Sequence, residues 1–169
     1  MKTAKRSKQV VRSSGRGTAA LGIARPLIIQ IRDSQRVRPV DRRRVREVVE
    51  TILRESGQTA ELGLHFVTAD YSARLNGQFL EHEGPTDIIT FDYGSTGCRL
   101  HGELFICVAE AVRQAREFGT TWETELDRYV VHGLLHLQGF DDREPAARRR
   151  MKRAEERWLQ KMSAPPSHV

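Results

Sequence analysis

Apolar residues recur along this chain at two spacings, and the switch between them predicts its elements. Leu27 to Ile31, opened by Pro26, is a short apolar and partly β-branched run that predicts a first strand. Val45, Val48, Val49, Ile52 and Leu53 then repeat at helical spacing. Asp41 stands where that helix needs an N-cap, and Gly57 where it must stop. From Glu61 to Thr68 the pattern alternates, with Leu62, Leu64 and Phe66 on one side and His65 on the other. This predicts a second strand, whose lone histidine is expected to be structural or surface-exposed. A short helix is expected from Asp70, its cap, to Leu80, carrying Leu75, Phe79 and Leu80 on its apolar side. Asn76 is a poor helix former in that interior, so it predicts a buried hydrogen bond that ties down the polar loop 81–85.

Asp87 to Tyr93 predicts a third strand and His101 to Val108 a fourth, separated by a glycine turn at 94–97. The fourth runs straight into a helix ending at Gly119, with Val112 and Ala115 inward. Thr120 with Glu123 reads as a capping box for a long helix, apolar at Leu126, Tyr129, Val130, Leu134 and Leu137. Pro145 suits the first turn of a last helix, through about Met162, with Met151, Ala154, Trp158 and Leu159 on its apolar side. Residues 163–169 are expected to fray. Four strands and about five helices in this order predict an α+β layer of sheet and helices.

Charge separates a tail from a domain. Residues 1–25 carry seven Lys or Arg and no acid, leaving 21 basic and 22 acidic residues in the remainder. The net charge of +6 is therefore a property of the N-terminus, expected to be a disordered basic arm, and 26–162 is expected to form one nearly neutral domain. An acid-free arm with nothing intramolecular to neutralise it points to RNA or ribosome contact. The same composition is that of a transit peptide, but no amphipathic pattern accompanies it. Local clusters at Arg42, Arg43, Arg44 and Arg46, and at Arg148 to Arg150 with Lys152 and Arg153, are each more simply read as solvated helix faces. Cys98 and Cys107 lack metal-ligand spacing, so reduced thiols in a cytoplasmic compartment are the default. No apolar run approaches a membrane span.

The chemistry concentrates in residues 132–142, His-Gly-Leu-Leu-His-Leu-Gln-Gly-Phe-Asp-Asp. On a helix, His132 and His136 share one face about 6 Å apart along the axis. Gly139 then lets the chain turn back, so that Asp141 or Asp142 can reach the same point. Two nitrogens and one oxygen leave a fourth tetrahedral position for water, the mark of a catalytic rather than a structural metal. A His-x-x-x-His pair alone is weak; the turn and the acids strengthen it. In zinc proteases of the His-Glu-x-x-His type the general base follows the first histidine. Here that position is Gly133, which disfavours peptide hydrolysis by that route.

The stretch from His132 to Asp142 resembles the signature of the YbeY family of metal-dependent endoribonucleases, His-Gly-x-Leu-His-Leu-x-Gly-Tyr-Asp-His. Leu75-Asn76, Phe79 and the run Pro85-Thr86-Asp87-Ile88-Ile89-Thr90-Phe91 are similar to a second family block, and Gly102-Glu103-Leu104 to a third. The resemblance spans roughly residues 26 to 160. It implies a small mixed four-stranded sheet flanked by helices with a metal cleft beside it. It further implies cleavage of single-stranded ribosomal RNA by metal-activated water, with Zn²⁺ on His132, His136 and Asp142. Position matching places the family's third metal histidine on Asp142 and leaves Asp141 to brace the turn. Aspartate can ligate zinc but adds negative charge, which admits a harder ion. Glu103 and Asp87 are expected to orient ligands or water, and Arg74, Arg42 and Arg43 to contact RNA. Ribosomal RNA, the small subunit or ribosomal proteins are the expected partners. Leu80 stands where the family has a cleft arginine, which suggests an alternative: a non-catalytic RNA-binding assembly factor. A hydrolase of an unrelated small substrate is a third reading.

Overall fold

A computed structural model describes residues 9–12, 27–80 and 83–163. Ten elements follow in order: β1 (Gln9–Arg12), β2 (Ile28–Asp33), α1 (Arg42–Glu55), β3 (Thr59–Val67), α2 (Ala69–Leu80), β4 (Ile88–Asp92), β5 (Arg99–Cys107), α3 (Val108–Phe118), α4 (Trp122–Leu137) and α5 (Pro145–Ser163). The sheet order is β1-β4-β5-β3-β2. β4 runs antiparallel to β5, and every other pairing is parallel, so the sheet is mixed. The α+β class and the four expected strands stand.

The fifth strand corrects the expectation of an arm disordered throughout. Gln9–Arg12 pairs in parallel with β4, in register Gln9 to Ile89 through Arg12 to Asp92. Without it β4 would be an edge with open hydrogen-bonding groups, and the Val10-Val11 pair has the residue types that suit a strand. The rest of the expected arm, and the expected tail beyond Ser163, lie outside the described residues.

Alternation along the central strands decides what each face of the sheet does. Leu62, Leu64 and Phe66 of β3 and Leu100, Leu104 and Ile106 of β5 are buried in one core with Val45, Val49 and Ile52 of α1 and Leu134, Leu135 and Leu137 of α4. The opposite face carries a small cluster in which Leu80 of α2 meets Ile89 and Phe91, with Leu75 and Phe105 beside them. Helix α4 lies unusually close to the sheet. A Cβ at Gly133 would stand 2.5 Å from Cδ2 of Leu104 and 2.7 Å from Cδ1 of Ile88. Glycine is therefore required there by packing, and the residue before it is His132.

Caps follow the sequence with two shifts. Asp41 caps α1, its side chain accepting from the backbone N–H groups of Arg43 and Arg44. Asp70 is not the cap of α2 but lies in its first turn; the hydroxyl of Thr68 accepts from the N–H of Tyr71 instead. Thr121, not Thr120, caps α4 by accepting from the N–H of Thr124, while Thr120 donates to the Glu125 carboxylate. Asn76 is buried and donates to the carbonyl of Gly84 at 2.9 Å, which ties the loop to α2 as expected.

Candidate metal centre

α4 buries both histidines because its inner face covers the sheet and α5 packs against its flank. His132 and His136 are 2% and 4% exposed, with ring centroids 4.6 Å apart and planes nearly perpendicular. Behind them the chain leaves the helix through Gly139 at φ 92, a left-handed conformation that favours glycine. Its N–H donates to the carbonyl of His136 and that of Phe140 to the carbonyl of Leu135. The reversal carries Asp142 back toward the helix, where its Oδ2 stands 4.0 Å from Nε2 of His132. One ligand atom from each of His132, His136 and Asp142 falls within 4.8 Å of the other two.

Hydrogen bonds on the far edge of each ring decide which nitrogen can serve. Nδ1 of His136 lies 3.1 Å from the carbonyl oxygen of Phe140. A carbonyl only accepts, so Nδ1 carries the proton and the lone pair is on Nε2. Nδ1 of His132 lies 2.8 Å from Oε2 of Glu155, a carboxylate of α5 that is itself 2% exposed. The same reasoning leaves its Nε2 to face the cluster. Glu155 is held in turn by Arg128, whose Nη1 donates to Oε1 at 2.8 Å. Two oriented imidazoles plus a carboxylate, each imidazole steadied by an outer acceptor, make a donor set that suits Zn²⁺ or a related divalent ion.

The two aspartates face different partners. Oδ1 of Asp141 accepts from the N–H groups of Asp142 and Arg143, bracing the turn. Desolvation opposes its charge, but those two N–H groups and the nearby Arg143 and His136 outweigh it and hold its pKa below the usual carboxylate range. Arg148 of α5 clasps the same loop, donating to the carbonyls of Asp142 and Arg143.

Other expected site residues are dispersed. Glu103 lies across the sheet from α4, because β5 turns Gly102 toward Leu137 and Leu104 toward Gly133, and Glu103 between them points away. There its carboxylate meets Nε2 of His65 at 3.1 Å and accepts from the Tyr93 hydroxyl at 2.7 Å. Desolvation, aided by that carboxylate, pushes the Tyr93 phenol up to about 12. Asp87 is buried and accepts from the Thr86 hydroxyl and the N–H of Ile88, as a support for the start of β4. Arg74 stacks over the Tyr71 ring on exposed α2, 5.5 Å from its centroid. Arg42 and Arg43 are exposed at the start of α1, with Arg43 paired to Glu47. Leu80 is buried in the small apolar cluster. Glu155 and Arg128 were not anticipated. The signal was present in α5, since Glu155 interrupts the stripe of Met151, Ala154 and Trp158 with a charge on the buried side.

Comparison with known proteins gives one consistent family. The family profile described as Endoribonuclease YbeY matches residues 30–163. A Chlorobium luteolum protein named Endoribonuclease YbeY is 38% identical over 135 residues, 79% of this chain and 97% of that one. One of the same name from Salinibacter ruber is 33% identical over 139 residues, covering 77% and 88%. A Thermotoga maritima protein known from its solution structure superposes with a TM-score of 0.60 at 24% identity, over 84% of this chain and all of that one; this is a likeness of fold.

Proposed function

Since the chain belongs to the Endoribonuclease YbeY family, we propose that it is a metal-dependent endoribonuclease that cleaves single-stranded ribosomal RNA during its maturation, in a cytoplasmic compartment. The observation that carries the proposal is the convergence of His132, His136 and Asp142 within 4.8 Å, with both Nδ1 edges already engaged. His132 and His136 would hold the ion through Nε2 and Asp142 through a carboxylate oxygen. A divalent ion bound there supplies a Lewis acid for a phosphoryl oxygen and acidifies water at neutral pH. The chain's own residues do the rest. Glu155 and the Phe140 carbonyl fix the imidazole tautomers and ring planes. Asp141, Gly139 and Arg148 hold Asp142 in reach, and the buried helix keeps the rings from rotating out.

The experiment is cleavage of ribosomal RNA by purified protein, before and after chelation and after adding back single divalent ions. Loss on chelation and recovery with zinc or a neighbouring ion is the expected result. No cleavage with any divalent ion defeats the proposal. Leu80 favours a second reading. It stands buried among Ile89 and Phe91 where the family signature has a cleft arginine, so this chain lacks that charge for catalysis or phosphate contact. A binding-only assembly factor would tolerate His136→Ala in cells; an endoribonuclease would not.

A further inference from the structure

Helix α5 carries a second feature beside the metal cluster. Arg150, Arg153 and Arg157 recur three and four residues apart, and with Ala154 and Gln160 they form one stripe. The stripe and Phe140, which is partly buried against the core, line a groove of about 530 Å³. All three arginines are exposed, and among the described residues none makes a hydrogen bond or ion pair. The acid in the lining, Glu156, sits 3.9 Å from Lys152 and is offset by it. Two lining residues connect the groove to the candidate metal cluster through the backbone. Phe140 forms one wall and accepts from His136; Ala154 precedes Glu155, which holds His132.

Three exposed guanidinium groups that pair with no other described residue, spaced along a helix beside an aromatic residue, are complementary to a chain of phosphates with a base between them. We propose that the Arg150–Arg153–Arg157 groove is the track that seats the phosphodiester backbone of single-stranded RNA against the metal cluster, with Phe140 as the apolar wall for one base. This rests on the endoribonuclease reading and adds the surface that delivers the strand. It assigns substrate binding to α5 rather than to the arginines of α1 and α2.

The test compares the full-length protein with the triple variants R150Q/R153Q/R157Q and R150K/R153K/R157K, using fluorescence anisotropy of a single-stranded oligoribonucleotide across a salt series. Unchanged melting and zinc content certify the variants. Each neutralised phosphate contact contributes about 0.7 to the slope of log affinity against log salt for a single strand. Three lost contacts predict a slope smaller by about 2 and affinity lower on the order of 100-fold at about 0.1 M salt. The lysine variant should keep most of the slope, because it keeps the charge. The proposal is overturned if the glutamine variant binds with the original affinity and slope, or if the lysine variant loses the slope as completely as the glutamine one. A parent protein that binds no RNA overturns the endoribonuclease reading itself, and this one with it.

Discussion

Replacing Glu155 by glutamine isolates the part of the candidate metal centre that lies behind the histidines. The change keeps size and shape but removes the charge that holds Nδ1–H of His132 at 2.8 Å and Nη1 of Arg128 at 2.8 Å. An acceptor remains, since the amide oxygen can take one of these two bonds. The imidazole loses its anionic partner, so Nε2 becomes a weaker base and the ring is less firmly oriented. Losing such an outer partner weakens metal affinity by roughly 10- to 100-fold. At about 1.4 kcal/mol per tenfold, that is about 1.4–2.8 kcal/mol of binding energy. Stability should fall as well, by about 1–3 kcal/mol, because Arg128 is left with Glu125, whose Oε2 is 3.5 Å from its Nε. The assay is competition for zinc against a chromogenic chelator, with denaturant unfolding of the metal-free protein alongside. If zinc affinity stays within about twofold of the parent while stability falls as expected, Glu155 is an ordinary buried ion-pair partner and the argument about tautomers is wrong.

Gly133→Ala should destabilise the chain by about 1–3 kcal/mol in denaturant unfolding, because the new methyl would overlap Leu104 and Ile88; a neutral result would mean that α4 is not pressed against the sheet. Asn76→Ala should cost about 1 kcal/mol and raise hydrogen exchange in the loop around Gly84, since the bond to that carbonyl is lost. Glu103→Gln should lower the Tyr93 phenol from about 12 toward 10.0, read by phenolate absorbance in an alkaline titration. The sign for stability follows from the raised folded value. Tyr93 favours the fold fully below its unfolded pKa of 10.0, and this contribution is lost as pH rises through about 12. An unchanged Tyr93 titration in the glutamine variant would contradict the contact with Glu103.

What the sequence revealed depended on how local the physics was. His132, His136, Gly139 and Asp142 lie within eleven residues, and helical spacing plus one glycine turn determines their approach, so the cluster was legible before any coordinates. Asn76 and its loop were legible for the same reason. Glu155 was not, because its partner is 23 residues away and the docking of α5 on α4 is a tertiary event. The face on which Glu103 lies was not legible although strand alternation was visible. Parity tells that Glu103 opposes Leu104, but only the packing of α4 on the Leu104 side shows which face carries the two histidines. β1 was missed because composition speaks for the whole arm, while a four-residue strand depends on the open edge of β4 in another part of the chain. The one-residue shift from Thr120 to Thr121 reflects two adjacent threonines with equal capping ability.

The proposed function stands on one divalent ion gripped by two imidazole nitrogens of α4 and the carboxylate just past its glycine bend. Anomalous scattering from a zinc-equilibrated crystal, with metal content measured on the same protein, tests it most directly. One zinc peak per chain is expected at bonding distance from Nε2 of His132, Nε2 of His136 and an oxygen of Asp142, with its loss in His136→Ala. A peak bound by other residues, or no peak with Asp142 turned away from the two rings, would contradict it.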